Sequence, residues 1–147
     1  MLTKATFEDG LKQAMRSGDE LGKGTLRMIL SAIKLAEVER RGALDEAALL
    51  GVLQKEAKAR EETIADAEAA GRSDLAAAAA RELELIRAYL PAPLSAVELE
   101  ALARQAIAEV GASTPADMGR VMKALMPRLQ GRADGKTASD LVRRLLA

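Results

Sequence analysis

Two prolines separated by one residue, in the segment "YLPAPLS", constrain the fold of this chain more than any other feature. Pro91 and Pro93 lack the backbone N–H that a helix needs, and each disfavours helical conformation in the residue before it. Patterns typical of helices lie on both sides of this segment. We therefore predict a domain boundary here, between a helical N-terminal domain (1–91) and a smaller domain (94–147).

The N-terminal part contains two long segments in which apolar residues recur at helical spacing. Residues 45–71 place Leu49, Leu53 and Arg60 on one helix face, and residues 73–90 repeat such a pattern. Only two or three residues join these segments, which is typical of two helices that fold back on each other. We predict a helical hairpin as the main element of the N-terminal domain.

Three shorter helical segments follow the prolines, and each begins with a recognisable cap. Ser95 and Glu98 have the spacing of a capping box, Thr114 precedes a proline at the first helical position, and Asp134 opens the last segment. Only 1% of the residues are aromatic, and strand-forming residues are too few for a sheet. The predicted fold is all-α, with a hairpin-based N-terminal domain and a small three-helix C-terminal domain.

The absence of cysteine and histidine excludes most kinds of catalytic site. It removes the usual zinc ligands, thiol nucleophiles and imidazole bases in one step. The sequence also has no P-loop, no dinucleotide-binding fingerprint and no serine elbow. We therefore expect no catalytic residues, no cofactor and no metal.

The expected location of the protein in the cell rests on two features that the sequence lacks. The first ten residues, "MLTKATFEDG", have no apolar signal-peptide core, and no apolar run approaches the ~18 residues of a membrane span. We predict a cytoplasmic protein that does not associate with a membrane.

Charge is distributed unevenly along a chain whose formal net charge is zero. Residues 1–91 carry 14 Lys and Arg against 16 Asp and Glu, whereas residues 92–147 carry 8 against 6. From Met118 to the end, only Asp134 and Asp140 are acidic, and seven residues are basic: Arg120, Lys123, Arg128, Arg132, Lys136, Arg143 and Arg144. Such a concentration creates a field that attracts polyanions, so these seven residues are candidate nucleic-acid contacts. The alternative is a basic surface that is simply solvated.

The motif "GRADGK" within this basic region also has two interpretations. As a junction, Gly131 would end one helix in the left-handed conformation and Asp134 would cap the next. As a phosphate site, the start of the last helix would present N–H groups beside Arg132 and Lys136. No aromatic residue follows Tyr89 to stack unpaired bases, which favours structured RNA over a single strand.

The segment "EVGASTPADMGRVMKALMPRLQGRADGKTASDLVRRLL", together with "KAREETIADAEAAGRSDL" and "YLPAPLS", resembles the YqeY family over essentially the whole chain. Its part "ADMGRVMKALMP", followed by "GRADGK", also resembles the tail domain of the B subunit of the aspartyl/glutamyl-tRNA amidotransferase. The resemblance implies an all-helical fold in which a helical N-terminal domain is joined to a small three-helix tail-like domain.

The resemblance also implies a role in binding tRNA, because the tail of the amidotransferase is implicated in gripping tRNA. It singles out Lys123, Arg128, Arg132 and Lys136 as RNA contacts, and Gly119, Gly131 and Gly135 as positions where RNA approaches the backbone. It further implies a label of carbon–nitrogen ligase with glutamine as amido-N-donor. The sequence supplies no ammonia channel, amidase domain or nucleotide site, so we do not expect catalysis by this chain alone.

The sequence therefore supports three hypotheses about function. The first is a tRNA-binding or tRNA-enzyme accessory module that contacts RNA phosphates through the basic C-terminal domain. The second is a protein–protein adaptor whose hairpin, residues 45–90, docks on an aminoacyl-tRNA synthetase or an amidotransferase. The third is the glutamine-dependent ligase activity, which rests on the resemblance alone.

Overall fold

A computed structural model describes residues 1–147 and contains helices without strands, so the predicted all-α fold is confirmed. The elements are α1 (Lys4–Ser17), α2 (Glu20–Arg40), α3 (Glu46–Ala69), α4 (Ser73–Tyr89), α5 (Ala96–Val110), a 3₁₀ turn (Pro115–Asp117), α6 (Met118–Leu129) and α7 (Gly135–Leu146). They form two compact units, Met1–Leu90 and Pro91–Ala147. None of the helices combines the length and the low charge needed to cross a bilayer.

Polar side chains cap the helices at several of the positions that the sequence indicates. Ser95 and Glu98 form the predicted capping box, and the Asp134 carboxylate accepts a hydrogen bond from the Thr137 N–H at 2.6 Å. Asp19 caps α2 in the same way. These caps satisfy N–H groups that have no partner inside the helix, and they therefore fix where each helix starts.

From residue type and spacing, Ser73 would cap the fourth helix, Pro127 would kink or end the sixth, and Met126 would be buried. Ser73 is instead the first residue of α4, and Arg72 occupies the cap position. Pro127 lies inside α6, which ends two residues later at Leu129. Met126, expected in the core, is exposed.

The first unit is built on a core of α1, α2, α3 and α4. Phe7, Ile29, Ile33, Leu53 and Ile86 are fully buried within it. The helices α3 and α4 pack along each other as the predicted hairpin, and α1 packs on α2. Aliphatic side chains supply almost all of this core, as the composition predicts.

One charged side chain lies inside this unit. Arg60 is only 7% exposed, and its guanidinium donates to Glu56 at 2.7 Å and to Glu82 at 3.0 Å. Its third contact is the Met28 sulfur, at 3.3 Å. The three partners belong to α3, α4 and α2, so a single guanidinium links three helices.

The second unit has a separate core, formed by one face of each of its three helices. The fully buried members are Ala103 and Ala106 of α5, Val121 and Leu125 of α6, and Ala138 and Val142 of α7. Leu129 joins them at the end of α6. With those faces turned inward, the remaining faces of α6 and α7 carry the basic residues.

Candidate nucleic-acid interface

The seven candidate cations lie on α6, on α7 and in the loop between them. On α6, Val121, Leu125 and Leu129 face the core because residues four apart share one side of a helix. Lys123 and Gly119 consequently lie on the opposite, exposed face. The structure thus keeps all seven candidates out of the core of the unit, and it gives them different surroundings.

Arg120 is engaged at the start of α6. Its guanidinium donates to the Val110 carbonyl at 2.9 Å and to the Asp117 carboxylate at 2.7 Å. This hydrogen bond, with two more from the Ser113 and Thr114 N–H groups, lowers the pKa of Asp117 from 3.8 to about 2. Arg120 therefore fastens the turn between α5 and α6, and it reaches a ligand only by giving up these contacts.

Two further arginines are paired with carboxylates. Arg128 of α6 donates to Glu109 of α5, which ties two helices of the core together. Arg143 donates to Asp140 at 3.1 Å, three residues earlier on the exposed face of α7. Each pair lowers the net positive charge that these side chains present to a ligand.

Arg132 has a structural role inside the second unit. Its Nε donates to the Ala92 carbonyl at 2.8 Å, while its own carbonyl accepts from the Leu94 N–H at 2.8 Å. The two bonds hold the proline segment against the loop between α6 and α7. This contact spans about forty residues of sequence, and no local pattern indicates it.

Three of the seven cations make no hydrogen bond or ion pair within the protein. Lys123, Lys136 and Arg144 are all exposed, and no carboxylate lies within ion-pairing distance of them. They are the side chains that could bind an anion without breaking an existing contact. The structure therefore divides the predicted set into three available cations and four that already have partners.

The three candidate glycines also differ. Gly131 has a φ of 72°, in the left-handed region that favours glycine, so its role in the loop is sufficient to explain it. A Cβ at Gly119 would meet nothing within 4 Å, and one at Gly135 would meet only the Met126 methyl at 3.8 Å. Packing does not require glycine at these two helix starts, where the backbone is accessible.

The start of α7 leaves two backbone donors open. Asp134 accepts from the Thr137 N–H, but the Gly135 and Lys136 N–H groups have no protein acceptor. An anion at this position would meet two N–H donors, the positive end of the helix dipole and the Lys136 ammonium. No group of three or more acidic side chains is placed to hold a metal ion.

Sequence reasoning missed the carboxylates that modify this surface. Glu109 lies 19 residues from Arg128 and was not considered, although it reduces the charge that Arg128 offers. The pairing of Asp117 with Arg120 does not follow from composition or net charge. The one available signal was the three-residue spacing of Asp117 and Arg120 on a helix face.

Comparison with known proteins matches this molecule to a family model and to several relatives. The family model described as "Yqey-like protein" matches residues 4–146. Proteins named "Altered inheritance of mitochondria protein 41, mitochondrial" are 41% identical over 54% of this chain in Vanderwaltozyma polyspora and 35% identical over 76% in Lachancea thermotolerans. The matched regions span 44% and 61% of those two proteins, so the chain covers about half the length of such relatives.

The fold defines an all-helical protein of two units, and the second unit carries three exposed cations without partners. With the family match over nearly its whole length, the chain belongs to the YqeY family, as the resemblance implied. The predicted cytoplasmic location is contradicted, because the relatives are named as mitochondrial proteins. The prediction failed because an apolar signal-peptide core marks only secretion, whereas mitochondrial targeting segments are amphipathic and rich in arginine.

Proposed function

We propose that this protein is an RNA-binding accessory module that holds tRNA phosphates on the exposed side of its C-terminal unit. The observation that carries the proposal is the set of three exposed cations without partners, Lys123, Lys136 and Arg144. Unpaired lysines and arginines bind phosphate and release the counterions that surround it, which favours association with any polyanion.

Two features of the same surface support a phosphate ligand. Lys123 lies one helical turn from Gly119, where no side chain obstructs the backbone. Lys136 lies next to the open N–H groups at the start of α7, where a phosphate would also meet the helix dipole. Structured RNA suits this surface better than a single strand, because the unit has no aromatic side chain on which bases could stack.

The likeness to the amidotransferase tail agrees with tRNA as the ligand.

The two other hypotheses, the protein–protein adaptor and the glutamine-dependent ligase, have less support. Half of the exposed residues of the hairpin formed by residues 45–90 are charged, and Leu75 is the one large apolar residue among them, which gives little sign of a docking surface there. Ligase activity rests only on the resemblance, and the described structure contributes no arrangement of groups that favours it.

The test is the affinity for total tRNA of the triple variant Lys123→Ala/Lys136→Ala/Arg144→Ala. We expect the affinity to fall on the order of 100-fold at low salt. The affinity should also depend less steeply on salt, because fewer phosphate contacts release fewer counterions. Alanine is placed only at unpaired residues. Changing Arg128 or Arg132 would also remove contacts that hold the unit together.

The matched control is Lys55→Ala/Lys58→Ala/Arg81→Ala, which removes the same charge from exposed, unpaired residues of the first unit. It should bind tRNA within about threefold of the parent, because only the overall charge has changed. Equal losses in the two triple variants would show non-specific attraction and would overturn the proposed interface. Unchanged binding by the first variant would do the same.

A further inference from the structure

The helix α2 has a second, uncharged face on the side away from its core residues. The residues of this face alternate at intervals of three and four, which is the spacing of a coiled-coil seam. We call it the α2 seam, and its members are Leu21, Gly24, Met28, Ser31, Leu35 and Val38. Met28, Leu35 and Val38 are 49%, 61% and 66% exposed, so the largest side chains of the seam have no covering partner.

A row of positive charge runs along one edge of the α2 seam. Arg27 and Lys34 are seven residues apart, so they lie on one side of α2 about 10 Å apart. Both side chains are exposed, and neither makes an ion pair or a side-chain hydrogen bond. Glu20 lies one heptad earlier on the same side and is paired with Lys23. In a heptad whose core positions are the seam residues, the two cations occupy the flanking position that pairs with a charged residue of a partner helix.

Two details make the seam suitable for close packing. A Cβ at Gly24 would meet nothing within 4 Å, and Ser31 is also small, so another helix can approach on either side of Met28. The Met28 sulfur accepts a hydrogen bond from Arg60, which is itself held by two carboxylates. The position of Met28 is therefore partly fixed before any partner binds, which lowers the entropy lost on association.

We infer that the α2 seam docks an amphipathic α-helix of another protein, with apolar residues along its centre and acidic residues along one edge. The apolar centre would cover Met28, Leu35 and Val38. The acidic edge would face Arg27 and Lys34. This inference is independent of the proposed RNA surface, which lies in the other unit.

A second copy of this chain fits the seam poorly. In an antiparallel pair related by a two-fold axis, the same edge of each helix meets its counterpart, so the two cation rows would face each other. In a parallel pair, the row would face Ala32 and Glu39, of which only Glu39 is acidic. A phosphate backbone would match the cations but would leave the apolar centre exposed. Charge and apolar area together therefore favour an acidic helix of a different protein.

The experiment uses two synthetic 21-residue helical peptides and the full-length protein. Both peptides have leucine at the core heptad positions, and the flanking positions are glutamate in one and lysine in the other. Like charges keep each peptide from pairing with itself. By fluorescence anisotropy, we expect the glutamate peptide to bind at least about tenfold more tightly than the lysine peptide, with a preference that weakens as salt is added.

A charge-reversed protein makes the test specific. In Arg27→Glu/Lys34→Glu, the preference should shift toward the lysine peptide, whereas the matched variant Lys55→Glu/Lys58→Glu on α3 should keep the parent's preference. Leu35→Asp/Val38→Asp should lose both peptides, because it places charge in the apolar centre. All of these positions are exposed, and circular dichroism with thermal unfolding checks that each variant is folded.

Several results would overturn the inference. Equal affinity for the two peptides, or a preference that survives charge reversal, would show that the cation row does not select the partner. A dimer in light scattering that Leu35→Asp abolishes would identify a second copy as the occupant. Weaker tRNA binding by Arg27→Glu/Lys34→Glu than by the α3 variant would make the row an RNA surface. None of these results bears on Lys123, Lys136 and Arg144, so the two proposals can fail separately.

Discussion

Asp117 receives four hydrogen bonds, and the one from Arg120 is the main reason for its lowered pKa of about 2. We predict that Arg120→Ala raises the pKa of Asp117 towards 3.8, while the Ser113 and Thr114 N–H groups still hold it below that value. The measurement is a ¹³C NMR titration of the Asp117 carboxyl group. Because the folded-state pKa is depressed, the stability that this group contributes is present above pH 3.8 and is lost as the pH falls through about 2.

The control for this titration is Arg144→Ala, which removes a cation of the same unit that contacts neither Asp117 nor Arg120. The Asp117 midpoint should stay near 2 in this variant. An unchanged midpoint in Arg120→Ala as well would assign the depressed pKa to the backbone donors alone. In that case Arg120 would be available for an anion, and the candidate interface would gain a fourth cation.

At the scale of helices, Arg60 is the side chain that joins α2, α3 and α4. We predict that Arg60→Ala lowers the free energy of unfolding by about 2 kcal/mol. Both carboxylate partners lose their donor in a partly buried position, although Glu56 and Glu82 retain enough exposure to be hydrated. The measurement is urea denaturation followed by circular dichroism, read from the shift of the midpoint at constant slope.

A second arginine provides the matched comparison. Arg87 of α4 pairs with Glu61 of α3 at 2.7 Å, but both side chains are more than half exposed. Arg87→Ala should therefore cost less than about 1 kcal/mol, as exposed ion pairs usually do. Equal losses for the two variants would mean that the burial of Arg60 adds nothing to its contribution.

The predictability of these elements depends on how far apart in the sequence their partners lie. Spacing on one helix face was enough to place Arg60 on the buried side of α3 and to indicate Glu56 as a neighbour one turn away. Glu82 and Met28 come from other helices, so the rest of the Arg60 contacts could not be deduced. The candidate interface shows the same limit. The sequence lists all seven cations. Which of them already have partners depends on contacts between helices, such as that of Arg128 with Glu109, and could not be deduced.

At the scale of the whole molecule, the two hydrophobic cores share no residue. Units with separate cores can open separately, since local stability follows local packing. We predict that Leu125→Ala destabilises the second unit by about 3 kcal/mol, because it leaves a cavity among fully buried neighbours. In hydrogen exchange monitored by mass spectrometry, the faster exchange should be confined to residues 91–147.

The reciprocal variant is Leu53→Ala, which creates a similar cavity in the first core. Its faster exchange should be confined to residues 1–90, and each variant thus serves as the control for the other. Accelerated exchange throughout the chain in either variant would show that the units unfold as one. Separate opening would instead mean that the basic surface of the second unit and the α2 seam of the first can each be altered without disturbing the other.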